Sequence, residues 1–346
     1  MRLIQDVLPR TEGRAGFVTL NRPKAINALT HAMVRRIDEA LTAWEDDPAV
    51  ETVVIEGAGE RGLCAGGDIR AIHDDARAGG TASVDFWRDE YRLNARIARY
   101  PKPYVAFMDG IVMGGGVGVS AHGSVRIVTE RSRVAMPETG IGFVPDVGGT
   151  YLLSRAPGEL GTHLALTGEG VGAADALLTG LADHFVPSDE LPRLAQELTR
   201  APAHDVLPRY ARPASPGGLA ARRAWIDACY TAETVEEIVD RLLDSGVPEA
   251  KEAATTLLAR SPTALKVTLA AIRRARRHDS LETVLNMEFR LSCAALSSAD
   301  LVEGIRAQVV DKDRTPRWSP ATLAEVTPDA VARYFAAPAT AEPFTS

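Results

Sequence analysis

The chain has 346 residues, enough for one large domain or a domain with an extension, and 45% of them are hydrophobic, ample for a buried core. The formal charge is −7 with no long basic run, which excludes nucleic acid and anionic membrane as expected partners. The three cysteines, Cys64, Cys229 and Cys293, are far apart and odd in number, against a disulfide framework; with no apolar leader in MRLIQDVLPR and no charge-free span of bilayer length, the expectation is a cytoplasmic protein.

Gly16 to Leu20 reads as a strand, ended by Asn21-Arg22-Pro23. The segment ALTHAMVRRIDEALTAWEDD is helical, because Leu29, Met33, Ile37 and Leu41 recur at fourfold spacing and give one apolar face. Thr52 to Gly57 is a second strand, followed by a tight, glycine-bearing loop from Gly62 to Ile69. The polar run DDARAGGTAS, Asp74 to Ser83, is expected to be a mobile loop before a helix from about Val84 to Arg99. Tyr104 to Met108 is a strand, Asp109-Gly110 a turn, and Gly114-Gly115-Gly116 leads a helix within a small-residue segment to His122, before a strand from Val125 to Thr129.

Beyond Tyr151 the chain is mostly helical, with stops at Pro157, Gly168-Glu169-Gly170 and Pro187. Pro202 to Gly218 marks a connection, and helices are expected at roughly 219–229, 234–244 and 248–259. Ser261 caps a helix that starts at Pro262 and runs to about Arg277, and another spans Leu281 to Ser297. Residues 311–320 read as irregular and 335–346 as frayed. Strand–helix alternation predicts an α/β fold with crossovers. The expected organisation is a core over 1–200 and a helical C-terminal region over 201–346 that completes the same fold.

Two glycine loops and two acids carry the chemistry. Gly66-Gly67 can turn a backbone N–H outward, although a glycine pair alone is more often a plain turn. The run Gly114-Gly115-Gly116 offers the same capacity, and unpaired N–H groups at a helix start attract a negative oxygen. Glu138 and Asp146 are eight residues apart, and Pro145 with Gly148-Gly149 forbids one helix through both, so a loop must place them. Backbone donors beside carboxyl groups suit acyl activation: a carbonyl oxygen gains charge, amides stabilise it, and an acid moves a proton or attacks.

The stretches KPYVAFMDGIVMGGGVGVSAHG and AMPETGIGFVPDVGGTYLLSR resemble the crotonase (enoyl-CoA hydratase/isomerase) superfamily and, within it, the 3-hydroxyisobutyryl-CoA hydrolase branch. NMEFRL at 286–291, EGIRA at 303–307, DKD at 311–313 and Pro316-Arg317-Trp318 are similar to the end of the same hydrolases, so the likeness covers nearly the whole chain and is weakest at 74–84 and 200–260. The resemblance implies a crotonase-type spiral of ββα repeats with C-terminal helices. It implies hydrolysis of a short 3-hydroxyacyl-CoA thioester, 3-hydroxyisobutyryl-CoA on the valine degradation route, with 3-hydroxypropionyl-CoA as a second substrate. It puts the two oxyanion-hole donors at Gly67 and Gly115, and the coenzyme A path along Ala65, Gly66, Gly67 and Asp68. Glu138 becomes nucleophile or general base, Asp146 its orienting or proton-relaying partner, and Glu90 the acceptor for the substrate 3-hydroxyl. No metal and no cofactor is implied beyond the coenzyme A of substrate and product. Relatives often form trimers or dimers of trimers, so a homo-oligomer is one expectation, left open by the extra helices at 219–259.

One departure matters. Hydratases of this superfamily carry an earlier glutamate three residues after the oxyanion glycine, and here that position is Gly118. A hydratase needs two carboxyls to hold its water across a double bond, so alkene hydration should be impaired. An enoyl-CoA hydratase/isomerase and a catalytically silent acyl-CoA-binding protein remain the alternatives. The G-x-G-x-x-A pattern from Gly116 to Ala121 imitates a dinucleotide fingerprint but leaves Gly66-Gly67, Glu138 and Asp146 unexplained. Ser120 and His122 lack the G-x-S-x-G context of a nucleophile elbow and read as packing and capping residues, and Cys64 as a small buried one.

Overall fold

The computed structural model describes residues 5–345. Its strands are β1 (Val7–Glu12), β2 (Ala15–Leu20), β3 (Thr52–Gly57), β4 (Tyr104–Met108), β5 (Ile111–Met113), β6 (Val125–Val128), β7 (Arg133–Ala135) and β8 (His184–Phe185). The main sheet has the order β1-β2-β3-β4-β6-β8, with β1 antiparallel to β2 and every other pair parallel. β5 and β7 pair in parallel as a small second sheet. The mixed, mainly parallel sheet followed by many helices is the α/β class expected from the sequence. No helix among the described residues is long and apolar enough to cross a membrane.

The chain forms two units, one of residues 1–67, 92–135 and 171–217, the other of 68–91, 136–170 and 218–346. The first holds both sheets. On the main sheet Phe17, Val54, Phe107 and Ile127 share a core with Leu191, Leu194 and Leu198 of the Leu191–Leu198 helix, an i, i+3, i+7 stripe. In the second unit Val267, Ala271 and Ala275 of the Pro262–Ala275 helix share a core with Val284, Met287 and Leu291 of the Leu281–Leu296 helix. Ser261 accepts from the Ala264 N–H with Pro262 next to it, the cap expected from the sequence.

The structure corrects three expectations. Asp74 to Ser83 is not a loop: it contains the end of the Ile69–Ala78 helix and the start of the Ala82–Ala98 helix. Gly79 ends the first helix in the left-handed conformation, and the Asp75 carboxylate accepts from the Ala82 and Ser83 N–H groups that begin the second. The polar composition marks an exposed helix face with a two-glycine break. The helix led by Gly114 to Gly116 is one turn, Gly115–Gly118, and does not extend to His122. The C-terminal segment is not frayed. Asn286 exchanges hydrogen bonds with the Phe344 backbone at 2.9 and 3.1 Å, Arg290 pairs with Glu342 at 2.6 Å, and Arg88 reaches Ala341 O at 3.1 Å. Strands β1, β5, β7 and β8 were not legible; β5, β7 and β8 are two or three residues long, too short to show a period.

Asn27 fixes the connections of the first unit. It is fully buried, holds a left-handed backbone at φ 54°, and donates its amide to Ala58 O, Gly62 O and Leu63 O at 3.1 Å each. Its Oδ1 accepts from the Arg22 N–H at 2.9 Å. Asn27→Ala leaves those groups buried without their partner, and should lower unfolding free energy by roughly 2–3 kcal/mol. Urea denaturation checks this; a loss below about 0.5 kcal/mol, the range of ordinary surface changes, would show that the loop holds itself.

Candidate active site

The two glycine loops lie side by side in the first unit because backbone hydrogen bonds zip them together. Cys64 N–H donates to Ile111 O at 3.1 Å and Met113 N–H to Cys64 O at 3.0 Å, so the loop before Ala65 runs as an extra strand beside β5. On its other side Ala65 N–H donates to Ile26 O at 2.9 Å and Leu29 N–H to Gly66 O at 2.8 Å. Gly66 has φ 112°, open to glycine and strained for other residues; a Cβ there would sit 3.3 Å from Met113 O and 3.8 Å from the Gly115 nitrogen. Gly116 packs so closely on the Cys64 carbonyl that any side chain would clash. Among the described residues neither the Gly67 nor the Gly115 N–H donates to a protein acceptor. Asp68 stands at the N-cap position of the Ile69–Ala78 helix. Ser120 is buried with its hydroxyl on Gly116 O at 2.6 Å, the packing role expected of it.

The acids meet in the second unit. Glu138 opens a short 3-10 turn, Glu138–Ile141, which Thr139 ties down through Leu166 O at 3.1 Å. Phe143 stacks on Trp87 with ring centroids 5.6 Å apart. Trp87 lies one turn before Glu90 and Tyr91 on the Ala82–Ala98 helix. The Tyr91 hydroxyl donates to Asp146 Oδ2 at 2.8 Å and lies 2.7 Å from Ser292 Oγ. Just after Asp146, Val147 holds φ 53°, a strained conformation for a β-branched residue. Glu288 holds the following turn: its carboxyl accepts from Gly148 N–H at 2.6 Å, Thr150 N–H at 2.9 Å and Thr150 Oγ1 at 2.5 Å. These donors are at the start of the Gly149–Ser154 helix, where backbone N–H groups lack helical partners.

Glu90, Glu138, Asp146 and Glu288 are thus four buried carboxyls, and no cation among the described residues enters the balance at any of them. Burial raises the pKa of all four. Asp146 reaches about 7, restrained by the Tyr91 hydrogen bond. Glu288 reaches about 8, with Asp146 raising it and the Thr150 and Gly148 donors opposing. Glu90 and Glu138 are pushed well above the usual carboxylate range by burial and by the charge of Asp146. The cluster therefore keeps protons at neutral pH, and Asp146 titrates at about 7. Glu138 Oε2 and Glu90 Oε1 are buried with no hydrogen-bond partner.

Of the residues singled out from sequence, Ala65, Gly66, Gly67 and Gly115 fall together in the first unit, and Glu90, Glu138 and Asp146 in the second. Tyr91, Glu288 and Ser292 went unread. The signal was present: Leu281, Leu285, Glu288, Ser292 and Ala295 share one helix face at 4, 3, 4, 3 spacing, so an acid and a hydroxyl interrupt an apolar stripe.

The model of the enoyl-CoA hydratase/isomerase family matches residues 15–335. The mitochondrial 3-hydroxyisobutyryl-CoA hydrolase of Xenopus tropicalis is 45% identical over 334 residues, covering 93% of this chain and 86% of its own. The Homo sapiens enzyme of the same name is 42% identical, covering 96% of this chain and 88% of its own. Among solved structures, a carnitinyl-CoA dehydratase from Mycobacterium thermoresistibile is 55% identical with a TM-score of 0.95, covering 98% of both chains. An enoyl-CoA hydratase from Rhodobacter sphaeroides 2.4.1 is 46% identical with a TM-score of 0.90, covering 96% of this chain and 98% of that one. A crotonase fold, a family match across 15–335 and hydrolase relatives above 40% identity lead to one conclusion: this chain belongs to the enoyl-CoA hydratase/isomerase family, beside its 3-hydroxyisobutyryl-CoA hydrolases.

Proposed function

We propose that this chain hydrolyses a short 3-hydroxyacyl-CoA thioester, 3-hydroxyisobutyryl-CoA in valine degradation, releasing the hydroxy acid and free coenzyme A. The observation that carries the reading is the carboxyl cluster: Glu138 has an unpartnered buried oxygen and a pKa raised by burial and by the charge of Asp146, which Tyr91 holds. Relatives named for this hydrolysis at 42–45% identity support it. In this reading the Gly67 and Gly115 N–H groups take the thioester oxygen as it becomes an oxyanion, each worth roughly 2.7–4 kcal/mol in the transition state. Glu138, once its proton has passed to Asp146, serves the carbonyl carbon, attacking it to form a mixed anhydride or drawing the proton from an attacking water. Asp146, the group titrating at about 7, takes up and returns the proton. Glu90 receives the substrate 3-hydroxyl, and Ala65, Gly66 and Asp68 line the coenzyme A path. The chemistry needs no metal and no redox group.

A second reading, hydration or dehydration of the acyl chain, is favoured by the names of the two solved relatives at 55% and 46% identity. Against it, the position of the other hydratase glutamate is Gly118, the last residue of the Gly115–Gly118 turn, which has no group to move a proton. Crotonyl-CoA should show no loss of its enoyl absorbance with this protein, while 3-hydroxyisobutyryl-CoA should release thiol. Rapid hydration would overturn the hydrolase reading.

Glu138→Gln should lower kcat for thiol release by about 10²–10⁴-fold; near-normal turnover removes Glu138 from the mechanism. Label in the Glu138 side chain after a single turnover in ¹⁸O-water would establish the mixed anhydride, since general-base catalysis leaves no label there. The limb of kcat/KM set by Asp146 should rise with pH to about 7, because the ionised form accepts the proton. Tyr91→Phe removes a hydrogen bond that favours ionised Asp146, so that limb should move to higher pH. A pH–rate profile that keeps its midpoint in the variant would assign the limb to another group.

A further inference from the structure

Asn94 lies on the Ala82–Ala98 helix, one turn beyond Glu90 and on the same face, is fully buried, and has no assigned role. Among the described residues neither its Oδ1 nor its Nδ2 has a hydrogen-bond partner, and one turn back Glu90 Oε1 lacks one too. Buried side-chain amides are ordinarily satisfied, since an unpaired donor or acceptor away from water opposes folding. Two adjacent polar side chains on one helix, both buried and both unsatisfied, form a preformed site whose hydrogen bonds are completed by something other than the protein.

We propose that Asn94 is a specificity-determining residue that, with Glu90, binds the 3-hydroxyl of the acyl group. The inference rests on the thioesterase reading and extends it to a residue which that reading leaves idle. The chemistry of the occupant follows from the groups present. The Asn94 amide nitrogen can donate to the hydroxyl oxygen while the hydroxyl donates its one proton to Glu90 Oε1. A plain alkyl chain offers neither Asn94 nor Glu90 a hydrogen bond. An acyl group without the hydroxyl leaves the unpaired atoms as they were, so its transition state forgoes the hydrogen bonds on which discrimination of this type depends.

The test compares kcat/KM for 3-hydroxyisobutyryl-CoA with that for isobutyryl-CoA in the wild type, Asn94→Leu and Asn94→Ala. The wild type should favour the hydroxylated ester strongly, and both variants should lose at least tenfold of that preference. Asn94→Leu should also raise the Tm of the ligand-free protein, because an apolar group of similar size replaces two unpaired polar atoms. A preference ratio unchanged within twofold overturns the assignment. So does a parallel loss on both esters with a lowered Tm, the signature of an amide that holds a structural water. Asn94→Ala gives the same ratio if Asn94→Leu does not fold. If the wild type hydrolyses neither ester, the thioesterase reading fails on its own. The Asn94 assignment is then judged by calorimetric affinity for a 3-hydroxyalkyl-CoA thioether against the plain alkyl thioether: a tenfold loss of selectivity in Asn94→Ala supports it, and unchanged selectivity overturns it.

Discussion

Glu288 accepts hydrogen bonds from the Gly148 and Thr150 amides and from the Thr150 hydroxyl, and the acid cluster depends on that clamp. It turns the chain sharply after Asp146 and over-determines the strained Val147 between them. Without it the backbone donors at the start of the Gly149–Ser154 helix would be buried unpaired. The side chain that supplies these acceptors comes from about 140 residues further along the chain, on the Leu281–Leu296 helix. That helix also brings Ser292 to Tyr91, and so supports the hydrogen bond that Asp146 receives. One helix therefore sets both the path of the Asp146 loop and the environment of its carboxyl.

That no cation among the described residues faces the four acids has a chemical consequence. An arginine beside them would hold every carboxyl ionised and make each a weak base. Burial instead keeps protons on the cluster near neutral pH and leaves Asp146 titrating at about 7. Such a group can take a proton and give it back, as acyl transfer requires. The arrangement costs stability: orphaned atoms at Glu90, Asn94 and Glu138 each forgo a bond they would have in water.

The first unit solves a different problem by simpler means. Its glycine pair is positioned by main-chain hydrogen bonds and by one buried amide, Asn27. Neither the Gly67 nor the Gly115 N–H donates to a protein acceptor among the described residues, and one glycine of the run admits no replacement. Gly116 shows why: its close approach to the Cys64 carbonyl admits no Cβ.

Local pattern alone was enough to read the helices at 219–230, 235–244, 248–258 and 262–275, the four longer central strands and the Ser261 cap, because each depends on periodicity or on a neighbour within four residues. The glycine loops and the two acids in their Pro-Gly setting were legible for the same reason, and the family likeness added roles to them. What tertiary structure decided is everything that pairs distant residues. The two- and three-residue strands exist only because each found a distant partner: β5 pairs with β7 and bridges the Cys64 loop, and β8 pairs with β6. The polar run at 74–83 became two helix ends because Asp75 caps the helix that follows, and the C-terminal segment was pinned by Asn286, Arg290 and Arg88. The protonation of Asp146 lies outside any local pattern, since it is set by burial and by Tyr91, and a carboxyl takes its pKa from neighbours in space rather than along the chain.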